Sequence, residues 1–288
     1  MLRLLSKIFR AFGRLFIKIS ERLLPVDGNA SKMIEKGSGR NLYKTTNGDT
    51  FWLDPDPKAY VDYCIISTGV FEPFSSKLVR KIVQPGDTVL DIGANIGYYS
   101  VLLSRCVGER GKVLSFEPME YYREILDKNI RQNNISNVEI FPFGFSNKET
   151  QYKCIRGDSS ATIHFYGKQH DFEIIQCKTL DAFCMEKKLD CVDFIKIDVD
   201  GHEPCIMQGG NSFFKKYDPT ILLEVAHLYY FKQGTFAWDF YSMLKEQGYN
   251  IYDEDGGTPI LNLEDFLIKC GNFAYSRNVI ISRRAISW

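Results

Sequence analysis

Apolar and polar positions along the chain follow two periods, and the changes between them mark out its elements. Positions 88–90 form a short β-branched and apolar run, as a strand buried on both faces would. Past Gly93, Asn95 and Gly97 a helical pattern starts at Tyr98 and ends near Gly108. A second apolar run, 113–116, leads to a helical stretch over 121–133 that turns Ile125, Leu126 and Ile130 inward. A third strand is predicted over 138–145. Strand, helix, strand, helix, strand is half of a doubly wound parallel sheet, so the pattern predicts an α/β fold. Upstream, 42–46 and 50–53 flank Asn47 and Gly48, the signal for a type I′ hairpin. A short helix over 75–83 is stopped by Pro85 and Gly86. Downstream, alternating residues over 147–178, with a turn at Gly157 and Asp158, predict a hairpin insertion rather than another strand–helix unit. Thr179 caps a short helix leading to Phe194. Further strands are expected at 194–201 and 221–225, helices at 202–209 and 237–247, and two strands around a polar loop over 249–284.

A chain of 288 residues, 44% hydrophobic and 25% charged, is long enough for one large core with appendages. Lysine plus arginine and aspartate plus glutamate each number 36, so the overall charge points to no nucleic-acid partner. Eight scattered cysteines without a C-x-x-C pair read as buried thiols in a reducing, cytoplasmic setting. The N-terminus departs from this balance. No acidic residue occurs before Glu21, and Arg3, Lys7, Arg10, Arg14, Lys18 and Arg22 recur at helical spacing opposite Leu5, Phe9, Phe12, Phe16 and Ile19. Three readings stay open: a basic amphipathic helix giving peripheral membrane contact through residues 1–24, a mitochondrial presequence, or a helix docked on its own domain. The chain then divides into this helix (1–25), a linker and hairpin lead-in (26–68) and a main domain (69–288).

The candidate chemistry sits first at 88–100, T-V-L-D-I-G-A-N-I-G-Y-Y-S. Strand, glycine turn and helix bring bare backbone close to a nucleotide-sized ligand. Here Asp91 precedes the first glycine, and a carboxylate there suits a cationic ligand better than a diphosphate. Glu117 follows Gly97 by twenty residues and closes the second strand, the spacing at which an acid reaches ribose hydroxyls. A ribose carrying a positive group points to S-adenosylmethionine. The second stretch, F-I-K-I-D-V-D-G at 194–201, alternates Lys196, Asp198 and Asp200 with Ile195, Ile197 and Val199. Lys196 reads as a structural partner for a neighbouring carboxylate, and Asp198 as functional, because open α/β sheets bind ligands at the carboxyl ends of their strands. Asp91, Glu117, Asp198 and Glu224 would each end a strand and so gather along one edge. His202 and His227 flank that edge as candidate bases or as structural histidines. No second ligand cluster accompanies the acids, so no metal is assigned.

These segments resemble the FkbM family of S-adenosylmethionine-dependent methyltransferases: V-L-D-I-G-A-N-I-G-Y-Y-S at 89–100, F-E-P at 116–118, T-L-D at 179–181, D-F-I-K-I-D-V-D-G-H-E at 193–203 and I-L-L-E-V at 221–225. G-V-F-E-P at 69–73 is similar to the family's lead-in. The resemblance implies a Rossmann-like class I methyltransferase fold, mostly parallel, with an antiparallel C-terminal strand. It implies that Asp91, Gly93, Asn95 and Gly97 line the methionine and ribose part of the cofactor, that Glu117 holds the ribose hydroxyls and that Phe143 lies near adenine. It also implies O-methylation of a glycan or small-molecule acceptor; from their place at the strand ends, not from the resemblance, Asp198, helped by Glu224 or His227, is expected to orient the acceptor hydroxyl. Asp200 stands where the family pattern usually has glutamate, and His202 where a small or apolar residue is more usual, so substrate contacts do not carry over. Two rival readings are an inactive methyltransferase-like scaffold at a membrane surface and a nicotinamide-dependent oxidoreductase, which would lack its third glycine.

Overall fold

A strand that is apolar at successive positions must be covered on both faces, and five such strands form the centre of this protein. The computed structural model describes residues 39–56, 59–156, 161–162, 172–271 and 276–286, with the backbone of 32–33. The N-terminal basic segment and the expected turn at Gly157 and Asp158 lie outside the described residues. The chain opens with β1 (Lys32–Met33), β2 (Asn41–Lys44) and β3 (Thr50–Leu53), an antiparallel ribbon, and two helices, α1 (Tyr60–Thr68) and α2 (Pro73–Ile82). Then come β4 (Thr88–Ile92), α3 (Tyr98–Val107), β5 (Lys112–Phe116), α4 (Glu120–Gln132) and β6 (Val138–Phe141). The insertion holds β7 (Gly144–Phe145), β8 (Thr150–Arg156), β9 (Ala161–Thr162) and β10 (Phe172–Lys178). After α5 (Leu180–Lys187) follow β11 (Phe194–Ile197), α6 (Glu203–Gly209), α7 (Asn211–Tyr217), β12 (Thr220–Val225), α8 (His227–Lys232) and α9 (Ala237–Glu246). The chain closes with β13 (Asn250–Asp253), β14 (Pro259–Ile260), α10 (Leu263–Cys270) and β15 (Arg277–Ser282).

The main sheet runs β14-β13-β15-β12-β11-β4-β5-β6. Strands β12, β11, β4, β5 and β6 are mutually parallel, and β15 pairs antiparallel with β12. This is the Rossmann-like class I arrangement. The chain leaves β4 towards β5 and β6 and returns to its other side through β11, so the switch in strand order falls between β4 and β11.

Alternation along each strand divides the core in two. Leu90, Ile92, Ile195, Ile197, Ile221 and Leu223 face α5, α6, α7, α9 and α10. Val89, Val113, Phe194 and Leu222 face α1 to α4 and the β2–β3 hairpin. On this second face the carboxyl end of the sheet turns polar: Lys196, Asp91 and Ser115 stand side by side in register on β11, β4 and β5. All three are buried.

Several expectations are corrected. The β2–β3 turn is not type I′: the Gly48 amide donates to the Thr45 carbonyl at 3.1 Å, and only Gly48, not Asn47, has positive φ. A type I′ turn requires it at both central residues; here the connection spans five residues between Lys44 and Thr50. The run over 138–145 is two strands, because Pro142 cannot donate to a ladder and Gly144 turns the chain into the second sheet. The polar loop over 249–284 contains α10, capped by Asn262, whose side chain accepts from the Asp265 amide at 2.9 Å. Helices α1, α7 and α8 have too few turns to show a period. The insertion does pair as antiparallel strands, β8 with β10.

Candidate active site

The turn after β4 is held by its neighbours rather than by its own sequence. The Gly93 and Ala94 amides donate to the Phe116 carbonyl at 3.1 and 3.0 Å, tying the turn to the end of β5. Gly93 has φ 81°, and a Cβ there would lie 1.9 Å from the Asp198 carbonyl oxygen. Gly97 has φ 90°, and its Cβ would meet Leu126 Cδ1 at 2.4 Å. Both glycines answer the demand of a left-handed backbone, and Gly93 adds a backbone contact too close for any side chain, whereas at Gly97 the Leu126 side chain would have to shift. The Asn95 amide donates to Glu117 Oε2 at 2.9 Å, and the Met119 amide to Oε1 at 3.0 Å. Glu117 is therefore pinned against the turn. Burial pushes its carboxyl up to about 7 despite these amides, and nearby Asp91 adds to the rise.

The polar row across β11, β4 and β5 is completed from α3. The Ser115 hydroxyl bonds Ser100 at 2.9 Å, and Ser100 donates to Asp91 Oδ2 at 2.6 Å. The other oxygen, Asp91 Oδ1, accepts no hydrogen bond among the described residues; its nearest cation is Lys196 Nζ at 3.9 Å. Lys196 bonds Asp198 at 3.0 Å and the Gly93 carbonyl at 3.3 Å, and lies 4.8 Å from the Tyr99 ring centroid. Burial alone would lower the Lys196 ammonium, but Asp198, Asp91 and Glu72 hold it above its ordinary value. One ammonium thus faces three carboxylates.

Sequence reasoning missed Glu72, Tyr99, Ser100, Ser115 and Glu203. Ser100 and Ser115 carry no signal apart from being polar inside apolar runs. Glu72 stands before Pro73 with φ 45°, so the backbone turns sharply into α2 and its carboxylate accepts from the Tyr99 hydroxyl at 2.6 Å. Glu203, fully buried, accepts from the Val199 and Gly201 amides at 3.0 and 3.1 Å and from the Tyr230 hydroxyl at 2.9 Å. It shapes the loop that follows β11, in which Asp200 has φ 52°. The H-E pair after the glycine was the visible sign of it.

The structure brings Asp91, Glu117, Asp198 and Glu224 to one edge of the sheet, as parallel strands require. β11 stops at Ile197, so Asp198 and Asp200 belong to the loop beyond and not to a continued alternation. Glu224 accepts from the Asp200 amide at 3.3 Å, and burial, followed by Asp198, Glu203 and Asp200, raises its carboxyl well above the ordinary value. His227 opens α8 beside Trp238, and burial lowers its imidazole. His202 bonds Ser146 at 3.0 Å and packs on Tyr152, which joins the insertion to the loop after β11; that is a structural role. Phe143 lies past the end of β6 in a cluster with Phe116, Phe141, Phe145 and Phe183.

The edge of the sheet therefore offers a turn of close-packed backbone, an excess of carboxyl groups and a buried carboxylate oxygen, Asp91 Oδ1, with no donor among the described residues. That donor set fits S-adenosylmethionine, which brings an ammonium, a sulfonium and ribose hydroxyls. A 59-residue segment, 20% of the chain, is 37% identical to the 23S rRNA (uracil(1939)-C(5))-methyltransferase RlmD of Acinetobacter baylyi and spans 13% of that protein's length. Among solved structures, the methyltransferase FkbM of Methylobacillus flagellatus is similar at 13% identity and a TM-score of 0.45, over 80% of this chain and 56% of that one. An O-methyltransferase of Bacillus cereus is similar at 17% identity and a TM-score of 0.43, over 74% and 81%. The model of the methyltransferase FkbM domain matches residues 91–251, more than half of the chain and nearly all of the edge described above. The chain belongs to the FkbM methyltransferase family, and S-adenosylmethionine is its cofactor.

Proposed function

We propose that this methyltransferase acts on a hydroxyl of a glycan or small metabolite, with Asp198 orienting the acceptor. The observation that supports this is accessibility. Asp91, Glu117 and Glu224 are each buried, whereas the Asp198 side chain is 24% exposed at the switch between β4 and β11. Of the four strand-end acids it is the one open to a molecule arriving from solvent.

In this reading Asp91 and the Gly93–Gly97 turn hold the methionine and ribose part of the cofactor. Glu117 takes the ribose hydroxyls on the lone pairs its two amides leave over, and Phe143 lies against adenine. The cofactor supplies a methyl group already activated by its sulfonium. The protein contributes alignment, exclusion of water and a destination for the acceptor's proton. Lys196 fixes the Asp198 carboxylate, and that carboxylate accepts the hydroxyl's hydrogen bond. Glu224 secures the Asp200 amide, and His227 borders the same edge.

The test is incubation with radiolabelled S-adenosylmethionine and separate glycan, lipid, metabolite and RNA fractions. Label is expected as a methyl ether in the glycan or metabolite fraction. Label on RNA bases alone would overturn the acceptor class; label nowhere would favour an inactive scaffold. With an acceptor in hand, Asp198→Asn should lower turnover by about 100-fold or more, the scale of general acid–base assistance, while cofactor binding survives. Full activity in Asp198→Asn would remove Asp198 from the reaction.

A further inference from the structure

We propose that Glu72, in the lead-in before the first core strand, is a cofactor-binding residue whose carboxylate balances the positive charge of S-adenosylmethionine. The inference rests on the cofactor assignment and extends it to a segment outside the 91–251 match.

Four observations point there. Glu72 is a non-glycine held at φ 45°, a backbone state that persists where the surroundings enforce it. Its carboxylate is fixed by the Tyr99 hydroxyl at 2.6 Å, from the helix that opens the cofactor turn. It adds its charge to those of Asp91 and Asp198, which pair with the Lys196 ammonium at 3.9 and 3.0 Å. Asp91 Oδ1, fully buried in the same cluster, has no donor among the described residues. Three carboxyl groups around one ammonium carry, once ionised, an excess of negative charge in a poorly solvated place, and a cation beside them favours that ionised form. The ammonium and sulfonium of the cofactor are cations of suitable size.

The groups facing Glu72 are known from each element packed around it: Tyr60 and Cys64 of α1, Tyr98 and Tyr99 of α3, Lys196 of β11, Asp198 just beyond it, and Glu254 after β13. Burial first, then Asp198, lift the carboxyl to about 7, with Lys196 and Tyr99 opposing. Near neutral pH a fraction of Glu72 is therefore protonated before the cofactor arrives. When a cation takes its place beside it, the carboxyl O–H bond breaks, the carboxylate stays and the proton passes to the buffer.

The measurement is calorimetry at pH 7 in two buffers of different ionisation enthalpy, titrating S-adenosylmethionine and S-adenosylhomocysteine into the full chain. Wild type should release protons on binding S-adenosylmethionine. Glu72→Gln should release fewer and bind about tenfold more weakly, the scale of one charged hydrogen bond. Tyr99→Phe, which keeps the ring and the fold but removes the donor to Glu72, should move the release to higher pH. Weakening shared by both ligands places Glu72 on their common ammonium, and weakening with S-adenosylmethionine alone places it on the sulfonium. A folded Glu72→Gln with unchanged affinity and unchanged proton release would overturn the role of Glu72 and leave the cofactor assignment standing. No binding by wild type would overturn both.

Discussion

Glu203 shows how one buried side chain sets the chemistry of residues it does not resemble. Its carboxylate satisfies two amides of the loop that carries Asp198 and Asp200. Glu203→Ala leaves both amides without their acceptor, at about 1–3 kcal/mol for such a loss, and should lower the unfolding free energy by that amount and the urea midpoint with it. A midpoint unchanged from wild type would mean that water serves the loop equally well. Glu117 and Glu203 also predict a pH dependence. Burial raises both carboxyls from 4.5 to about 7, so the native state binds their protons more tightly than the unfolded chain does. Their contribution is full below pH 4.5 and is lost as pH rises through 7. The ligand-free protein should therefore lose stability between about pH 5 and 7.5, and a thermal midpoint rising across that window would contradict the assignment.

At the scale of elements, the turn after β4 works because two strands and a helix crowd it. Gly93→Ala would drive a methyl group into the Asp198 carbonyl, whereas Gly86→Ala, also at positive φ, meets nothing within 4 Å. Both should cost the strain of a left-handed alanine, about 1 kcal/mol, but only Gly93→Ala should also abolish cofactor binding. Equal effects in a binding titration would show that the turn tolerates displacement. Most of this geometry was legible in the chain: β4, β5, β11 and β12 announce themselves as apolar runs, each carrying an acid at or just past its carboxyl end. What stayed hidden depends on contacts across the sequence. Ser115 and Ser100 become a hydrogen-bonded pair only when β5 lies beside β4 and α3 covers both. Glu72 comes near Lys196 only through the fold, more than a hundred positions along the chain. The helices α1, α7 and α8 have six to nine residues, too short for a 3.6-residue period to stand out.

For the whole molecule, one sheet separates two cores, and its carboxyl edge is where we propose that acceptor and cofactor meet. No helix among the described residues is long and apolar enough to cross a membrane. On the membrane reading of residues 1–24, which we propose over a presequence or a docked helix, surface attachment comes by a different route: about 1 kcal/mol per cationic side chain near an anionic surface, plus apolar burial. The full chain should float with anionic liposomes and lose that association in high salt, while a chain beginning at Asp27 should not float. Equal behaviour of the two would remove the membrane reading. The central claim, a cofactor cradled between the turn after β4 and the acid after β5, is tested most directly by titrating S-adenosylhomocysteine into wild type and Glu117→Ala. The variant should bind more weakly by about 1–3 kcal/mol, the loss expected for a charged hydrogen-bonding partner; identical affinities would place the cofactor elsewhere.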